Sequence, residues 1–300
     1  TLSVDVVKKD NVLSVTLPAD EFKRQAGYLL QQIKKQKAGS FTLPEIQDFM
    51  ERISVRKLKA DSHDKSDIRI KIHDYHTGLE PELGFSIKSR IGNPSTLLNA
   101  GKTTNFTFGI KGNITDNDME EFNHGSSKFS TRLNALIRKG CEISYIKADS
   151  EIFQNNLVLI DSKLPEIIGY LLLEYYVYGN NTIKKCVSAL NTKNPLQYDL
   201  VFEHNFYEYK MKKLLSEVAL GMTPGKIWDG MTDATGGYII VREDGEVLCY
   251  HLYNRNEFEN YLIKNTKMDT PSTGRYECLK IYKEDDEYRI KLNLQIRFIK

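Results

Sequence analysis

No apolar run in this chain of 300 residues reaches the roughly twenty needed to cross a bilayer, so no segment is expected to span a membrane. The first residues carry no signal-peptide pattern, and cytoplasmic residence is expected by default. Cysteine is scarce. Cys141, Cys186, Cys249 and Cys278 are far apart, with no CxxC pair and no zinc-ligand spacing. A chain of this size needs no disulfide framework, and free buried thiols are expected. An excess of charge of one sign is also missing. Forty-two Lys and Arg stand against 40 Asp and Glu, a formal net charge of +2. Overall charge therefore neither requires nor excludes a nucleic-acid partner. Three short basic runs remain: Lys34, Lys35 and Lys37; Arg52, Arg56, Lys57 and Lys59; Lys210, Lys212 and Lys213. Each reads most simply as a solvated helix face, and a nucleic-acid groove would need several of them in line. There is no internal repeat and no low-complexity tract.

At 40% hydrophobic and 27% charged residues, the composition is that of an ordinary globular protein able to bury a large core. Residues 2–17 read as a hairpin turning at Asp10 and Asn11, followed by a helix from Ala19 to about Lys37. A second helix starts with Thr42 as N-cap, Pro44 in the first turn and Glu45 completing a capping box. Its apolar face holds Ile46, Phe49, Met50 and Ile53. After a polar linker, Asp61 to Lys65, comes the segment Ser66 to Arg90. Beyond it, Gly92, Asn93 and Pro94 end a strand, and Thr96 to Ala100 predicts a short helix or turn. Phe129, Leu133, Leu136 and Ile137 are spaced as a helix ended by Gly140, and Glu142 to Lys147 alternates as a strand. Leu164 to Tyr178 reads as a buried helix and Asn205 to Leu220 as another. Asp244 and Gly245 predict a tight hairpin between Tyr238–Arg242 and Val247–Tyr253. A helix over Asn256–Lys264 and two strands from about Tyr276 and Tyr288 complete the chain. The fold class is α/β or α+β, divided as 1–60 (hairpin and helices) and 61–300 (core with a β-rich C-terminal region).

SDIRIKIHDYHTGLEPELGFSIKSR, Ser66 to Arg90, carries the chemistry. With period two, Ile68, Ile70 and Ile72 point one way; Asp67, Arg69, Lys71 and His73 point the other. Gly78, Pro81 and Gly84 punctuate the connection. Phe85 and Ile87 are apolar on the returning strand, while Ser86 and Lys88 share its polar face. If the apolar faces pack on one core, Asp67, Ser86 and Lys88 converge on the opposite side. A strand-borne aspartate facing an x-Lys strand resembles the skeleton of the PD-(D/E)xK nucleases. An amphipathic hairpin with a solvated polar face is the plainer alternative.

The run GFSIKSRIGNPSTLLNAGKTTNF, Gly84 to Phe106, resembles the corresponding region of the HpaII-type restriction endonucleases. So do the block from Asp233 to Leu262, PSTGRY from Pro271 to Tyr276, and LNLQIRF from Leu292 to Phe298. The resemblance implies a PD-(D/E)xK-like core with a mixed central sheet flanked by helices. It implies Mg²⁺-dependent cleavage of double-stranded DNA at a short palindrome, with CCGG as the leading site. It further implies a homodimer, and a DNA methyltransferase of the same specificity as functional partner. The family carries a segment upstream of the part that resembles this chain, so a functional residue lying there is one expectation.

On this reading Asp67 holds the metal with the Ile87 carbonyl, and Lys88 orients the nucleophile and stabilises developing charge. Ser86 departs from the family skeleton, which has an acid two residues before the lysine. Glu51 on the preceding helix is the candidate substitute, ahead of Glu45, whose plainer role is the capping box. A rival cluster of Asp229, Asp233 and Glu243 has no x-Lys strand after it and is read as structural or DNA-contacting. His63, His73 and His76, with Asp61, Asp64 and Asp74, mimic a metal cluster, but only His73 lies on the polar strand face. Arg90, Asn93, Ser95, Asn99, Lys102, Thr103, Thr104 and Asn105 suit phosphate and base-edge contacts; a polar surface loop is the competing reading. Arg255, Lys264, Lys267, Ser272, Thr273 and Arg275 form a second candidate surface. The alternative function is sequence-specific DNA binding without cleavage. An unrelated α/β scaffold or interaction module is a third reading.

Overall fold

The computed structural model describes residues 2–7, 12–35, 42–55, 66–71, 78, 82–89, 94–242, 244–251, 254–271 and 275–299. Among the features singled out in the sequence, the Asp10–Asn11 turn, Lys37, Arg56, Lys57, Lys59 and the linker from Asp61 to Lys65 with His63 and Asp64 lie outside them. Ile72, His73, Asp74, His76, Pro81, Arg90, Gly92, Asn93, Glu243, Tyr253, Ser272 and Thr273 also lie outside, as does the proposed boundary after residue 60.

The chain opens with the antiparallel pair β1 (Ser3–Val7) and β2 (Leu13–Pro18), then α1 (Ala19–Lys35) and α2 (Pro44–Arg52). α1 and α2 meet through Phe22 and Phe49, ring centroids 5.1 Å apart, and through the Arg52–Glu21 ion pair at 2.6 Å. The capping box expected at Thr42 and Glu45 is not formed. Leu43 is the N-cap without a side-chain cap bond, and the backbone amides of Ile46 and Gln47 both reach the Leu43 carbonyl. Pro44 takes the first helical position, where its missing N–H costs nothing, and this shifts the start by one residue.

β3 (Ile68–Lys71) and β4 (Glu82–Ser89) follow as an antiparallel pair, with Ile68 opposite Phe85. Thr96–Leu98, expected as a helix or turn, is instead strand β5. Its Leu97 and Leu98 are buried beside the strand Gln295–Phe298, a pairing about two hundred positions away in sequence that local pattern does not reveal. β6 (Asn105–Lys111), α3 (Asp116–His124), α4 (Phe129–Arg138), β7 (Glu142–Ala148) and α5 (Glu151–Ile160) come next. α6 (Leu164–Tyr176) is the buried helix that the apolar run predicts. Its Gly169 lies so close to Tyr145 of β7 that a Cβ there would stand 2.7 Å from the ring. α7 (Ile183–Lys193) and α8 (Phe206–Leu220) extend the helical layer.

β8 (Gly237–Val241) and β9 (Val247–His251) form the predicted hairpin. Gly245 sits at φ 92°, a conformation glycine adopts without strain, and the Asp244 carboxylate accepts the Glu246 amide at 2.9 Å. α9 (Arg255–Asn265), β10 (Thr266–Asp269), β11 (Ile281–Glu284), β12 (Glu287–Asn293) and β13 (Gln295–Phe298) complete a mixed α/β architecture. Beyond β10, three strands stand where two were expected. Asp285 and Asp286, both at positive φ, turn β11 into β12.

The described residues form four sheets: β1-β2, β10-β13-β5, β11-β12-β6-β7 and β3-β4-β8-β9. The principal core lies between β6, β12 and the helices α6 to α8, where Phe106, Phe108, Ile168, Leu171, Leu214 and Ile290 are fully buried. The sheet β3-β4-β8-β9 positions the candidate site. β8 runs parallel to β4, with Ser86 opposite Tyr238 and Lys88 opposite Ile240. α9 packs on the same face, bringing Phe258 to 5.2 Å from the Tyr238 ring.

Candidate active site

β4 does not bury the face that alternation suggests. Ile68 and Ile87, expected on the core side, are 41% and 38% exposed, whereas Ser86 is 3% exposed. The cause is tertiary. β8 places Tyr238 and Ile240 on the Ser86–Lys88 face, and α9 covers it, so the inner face is the one carrying the polar residues. Phe85 keeps its burial on the other face, with His251 at 6.2 Å.

Asp67, Ser86 and Lys88 do come together. Asp67 immediately precedes β3, and its backbone amide donates to the Phe85 carbonyl at 2.8 Å. At the edge of β4 its carboxylate takes the place of a strand partner: Asp67 Oδ2 accepts the Ile87 amide at 2.6 Å and the Ser86 hydroxyl at 3.3 Å. Residues two apart on a strand direct their backbone groups to the same side, so the Ile87 carbonyl faces the edge that Asp67 occupies. Lys88 is half-buried. Burial lowers its ammonium pKa, and the nearby Asp67 carboxylate partly raises it again. Its Nζ lies 5.8 Å from the centroid of the Tyr238 ring. Tyr238 is buried directly across from Ser86 in the β4–β8 register, and burial holds its phenol well above the usual pKa.

One wall of the site is pinned from below. Ser66 Oγ donates to the Asp233 carbonyl at 2.9 Å, Gly84 donates to Thr235 Oγ1 at 3.2 Å, and the Gly236 amide reaches the Gly84 carbonyl at 2.7 Å. The segment preceding β8 is thus laced to the segment preceding β3. Of the rival acidic cluster, Asp229 uses its carboxylate in a turn with the Met231 amide at 3.0 Å, and Asp233 abuts Ser66 through its main chain.

The donor set suits a hard divalent cation. Asp67 Oδ2 is engaged, whereas Oδ1 accepts no hydrogen bond among the described residues, and a backbone carbonyl lies on the same edge. Such a cation takes oxygen ligands and keeps several waters, so one carboxylate and one carbonyl are a compatible pair. Among the described residues, no group of three or more His, Cys, Asp or Glu is placed to hold a metal. Glu51 is exposed on α2 and joins neither Asp67 nor Lys88 in a hydrogen bond or ion pair among the described residues.

The residues expected to touch DNA separate into two groups. Thr104 and Asn105 are buried. Thr104 Oγ1 exchanges hydrogen bonds with Gly101 at 3.1 Å, and Asn105 donates to the Tyr276 carbonyl at 2.7 Å and accepts from Asn293, also at 2.7 Å. Their polar groups are spent inside the fold, which speaks against the expected DNA contacts of these two residues and equally against the competing reading of a surface loop. Arg255 is exposed but paired with Glu217 and Glu259, both at 2.9 Å. Ser95 is half-buried, and its carbonyl accepts the Phe298 amide at 3.0 Å. Asn99, Lys102 and Arg275 are exposed. The Asn105–Tyr276 bond draws the Lys102 segment and the Arg275 turn side by side. Lys102, Lys147 and Lys291 line a cavity of about 460 Å³ there, balanced by Asp149, Glu277 and Glu284.

Tyr238 was missed by the sequence reading. Its signal was only a tyrosine alternating with Ile240 on a predicted strand, and its partner on β4 is more than 150 positions away.

No solved structure matches the chain. The Type II restriction enzyme HpaII of Haemophilus parainfluenzae is 45% identical over 298 residues, 99% of this chain and 83% of that protein. The profile of the HpaII restriction endonucleases matches residues 1–298. With the match running through the Asp67–Lys88 hairpin and both flanking halves, the chain belongs to the HpaII restriction endonuclease family.

Proposed function

We propose that this protein is a type II restriction endonuclease that hydrolyses phosphodiester bonds in double-stranded DNA, with Mg²⁺ as cofactor and CCGG as its site. The observation that carries the reading is the juxtaposition of the Asp67 carboxylate, just before β3, and the Lys88 side chain on β4, beside the Ile87 carbonyl, which accepts no hydrogen bond among the described residues. An antiparallel β3–β4 pair continued by parallel β8 supports a PD-(D/E)xK-like core.

Asp67 would offer Oδ1, and Ile87 its carbonyl, to the cation. Mg²⁺ bound there would neutralise the scissile phosphate and lower the pKa of a coordinated water. Lys88 stands beside that position in a half-buried setting, where burial lowers its pKa and the Asp67 carboxylate raises it; as an ammonium it would stabilise developing negative charge more strongly there than in water. Ser86 orients Asp67 rather than binding metal, since a neutral hydroxyl is a weak ligand for Mg²⁺. Lys102 and Arg275 are the exposed cations best suited to backbone phosphates, with Asn99 beside them. A palindromic site favours a homodimer, and a cytoplasmic methyltransferase of the same specificity would protect the host's DNA.

Sequence-specific binding without cleavage is the second reading, favoured by Ser86 standing where an acid was expected. Digestion of plasmid with and without Mg²⁺, followed by sequencing of the ends, separates the two. Asp67→Ala and Lys88→Ala are each expected to lose cleavage by at least about 100-fold while retaining DNA binding. Wild-type protein that binds one sequence tightly and never nicks it would establish the second reading.

A further inference from the structure

The cavity between the Lys102 segment and the turn after Arg275 does not spend its charges evenly. Lys102, Lys147 and Lys291 line it, together with Asp149, Glu277 and Glu284. Lys291 takes two of the acids, Glu277 at 2.8 Å and Asp149 at 3.5 Å. Glu284 is claimed by Arg289. Lys102 and Lys147 are exposed, and neither forms an ion pair among the described residues. Arg275 and Lys280, at the two ends of the turn, are exposed and likewise without an ion pair there. The turn and the Lys102 segment share one field. The Glu277 carboxyl is held below its usual pKa first by its hydrogen bond to Lys291, then by the charges of Lys291, Lys102 and Lys280.

The turn is held rather than loose. Tyr276, Glu277 and Leu279 sit at φ 62°, 59° and 61°, the left-handed region that side chains rarely adopt. Such backbone persists only where the surroundings impose it, and it gathers at ligand-binding sites. Two buried amides do the imposing: Asn105 and Asn293, opposite each other in the β6–β12 register. Asn293 donates to the Gly101 carbonyl at 2.8 Å and to Asn105 Oδ1 at 2.7 Å, and Asn105 donates to the Tyr276 carbonyl at 2.7 Å. The Leu279 amide reaches the Lys291 carbonyl at 2.8 Å. One buried pair thus fixes both walls of the cavity, at the residue before Lys102 and at the residue after Arg275.

We propose that this cavity is a seat for DNA backbone phosphates, made by Lys102 and Lys147 with Arg275 and Lys280 on its rim, and that Asn105 and Asn293 are its positioning residues. The proposal rests on the reading of duplex DNA as the substrate. To Lys102 and Arg275 it adds two further cations and the pair that sets them in place. Cations without a protein partner exchange only water and counterions for phosphate, so no internal ion pair is broken on binding. Contacts of this kind fix where the duplex lies and carry no sequence preference.

The test measures binding by fluorescence anisotropy, in Ca²⁺ and across a salt series, to a CCGG duplex and to a scrambled one. Lys147→Ala and Lys280→Ala should each lower the slope of log Kd against log salt by about one, and weaken both duplexes by the same factor. Asn105→Ser removes no charge. Its hydroxyl can still accept from Asn293 but is too short to reach Tyr276. It should nonetheless lower the slope, by about two, as the two cations of the turn lose their place. A part in packing alone would leave that slope at the wild-type value, and this result would overturn the positioning role. If Asn105→Ser fails to fold, the two lysine variants, on exposed side chains, decide alone. An unchanged slope in both of them, or weakening confined to the CCGG duplex, overturns the proposal. Wild-type protein with no salt-dependent affinity for either duplex would sink the nuclease reading itself. A wild-type slope kept by the lysine variants sinks only the seat.

Discussion

Gly84→Ala perturbs the site without replacing any group proposed to act in it. Gly84 lies on β4 two residues before Ser86, on the same face, and its own backbone bonds need no change. A Cβ there would run into Ser66 Oγ and stand 2.9 Å from the Asp233 carbonyl and 3.0 Å from Ser66 Cβ. Rotating the serine hydroxyl relieves the first contact but not the other two. Ser66 and the main chain at Asp233 must each retreat by about half an ångström to reach ordinary contact, stretching the Ser66–Asp233 bond. Overpacking of this kind costs about 1–3 kcal/mol. Ser66 is bonded directly to Asp67, so the displacement passes to the carboxylate. A misplacement of one ångström can cost about 100-fold in rate, and half of that about tenfold. Urea denaturation reads the first effect and single-turnover cleavage at saturating Mg²⁺ the second. Gly27→Ala in α1 is the control, because nothing lies within 4 Å of its Cβ position. It should stabilise by up to about 1 kcal/mol and leave the rate alone. A destabilised Gly84→Ala that cleaves at the wild-type rate would refute the link from Ser66 to Asp67.

Two further predictions concern the rest of the molecule. Burial holds the Cys186 and Cys278 thiols protonated in the fold up to about 12 and about 11, whereas unfolded thiols ionise near 9.0. The unfolded state therefore releases its protons first, and stability falls as pH rises from 9.0 towards those values. Denaturation midpoints at pH about 8.5 and about 10.5 should show the fall, a Cys186→Ala, Cys278→Ala variant should flatten it, and equal slopes in both proteins would count against it. Replacing Lys102 and Arg275 together by alanine should weaken DNA binding uniformly across sequences and lower the salt slope of log Kd by about two, as expected for two phosphate contacts. An unchanged slope would remove both residues from the interface.

Much of the fold was legible where the signal is local. The helix at Leu164 declares itself by an apolar run, and the β8–β9 turn by Asp244 and Gly245. Asp67 and Lys88 were legible because period two is local as well. What failed depended on distant partners. Thr96–Leu98 became a strand only because β13 lies beside it. Asn105 reads as a loop asparagine until Tyr276 and Asn293 claim its amide. Alternation along β4 shows which residues share a face, but burial was decided by β8 and α9, so the polar face is covered while Phe85 stays buried on the other.

Covering the polar face changes what the site can do. A polar strand face open to solvent would leave Asp67 and Lys88 as mobile surface charges, separated by water of high dielectric and worth little to each other. On the covered face the groups are graded instead: Tyr238 is buried, Ser86 is buried beside it, Lys88 is half-buried and Asp67 is exposed. The exposed Asp67 is held by the buried Ser86 hydroxyl, and Lys88 lies near the buried Tyr238 ring, which is how a rigid interior restrains side chains that must still meet a solvated substrate. The grading also accounts for a serine at position 86. A carboxylate there, 3% exposed and close to Asp67, would have to ionise in a buried place beside a like charge, with Lys88 to offset it in part. A hydroxyl fits the same position without that cost and donates a hydrogen bond to Asp67. Ser86→Asp therefore need not restore a stronger metal site: the buried acid would be expected to take up a proton rather than supply a second charge.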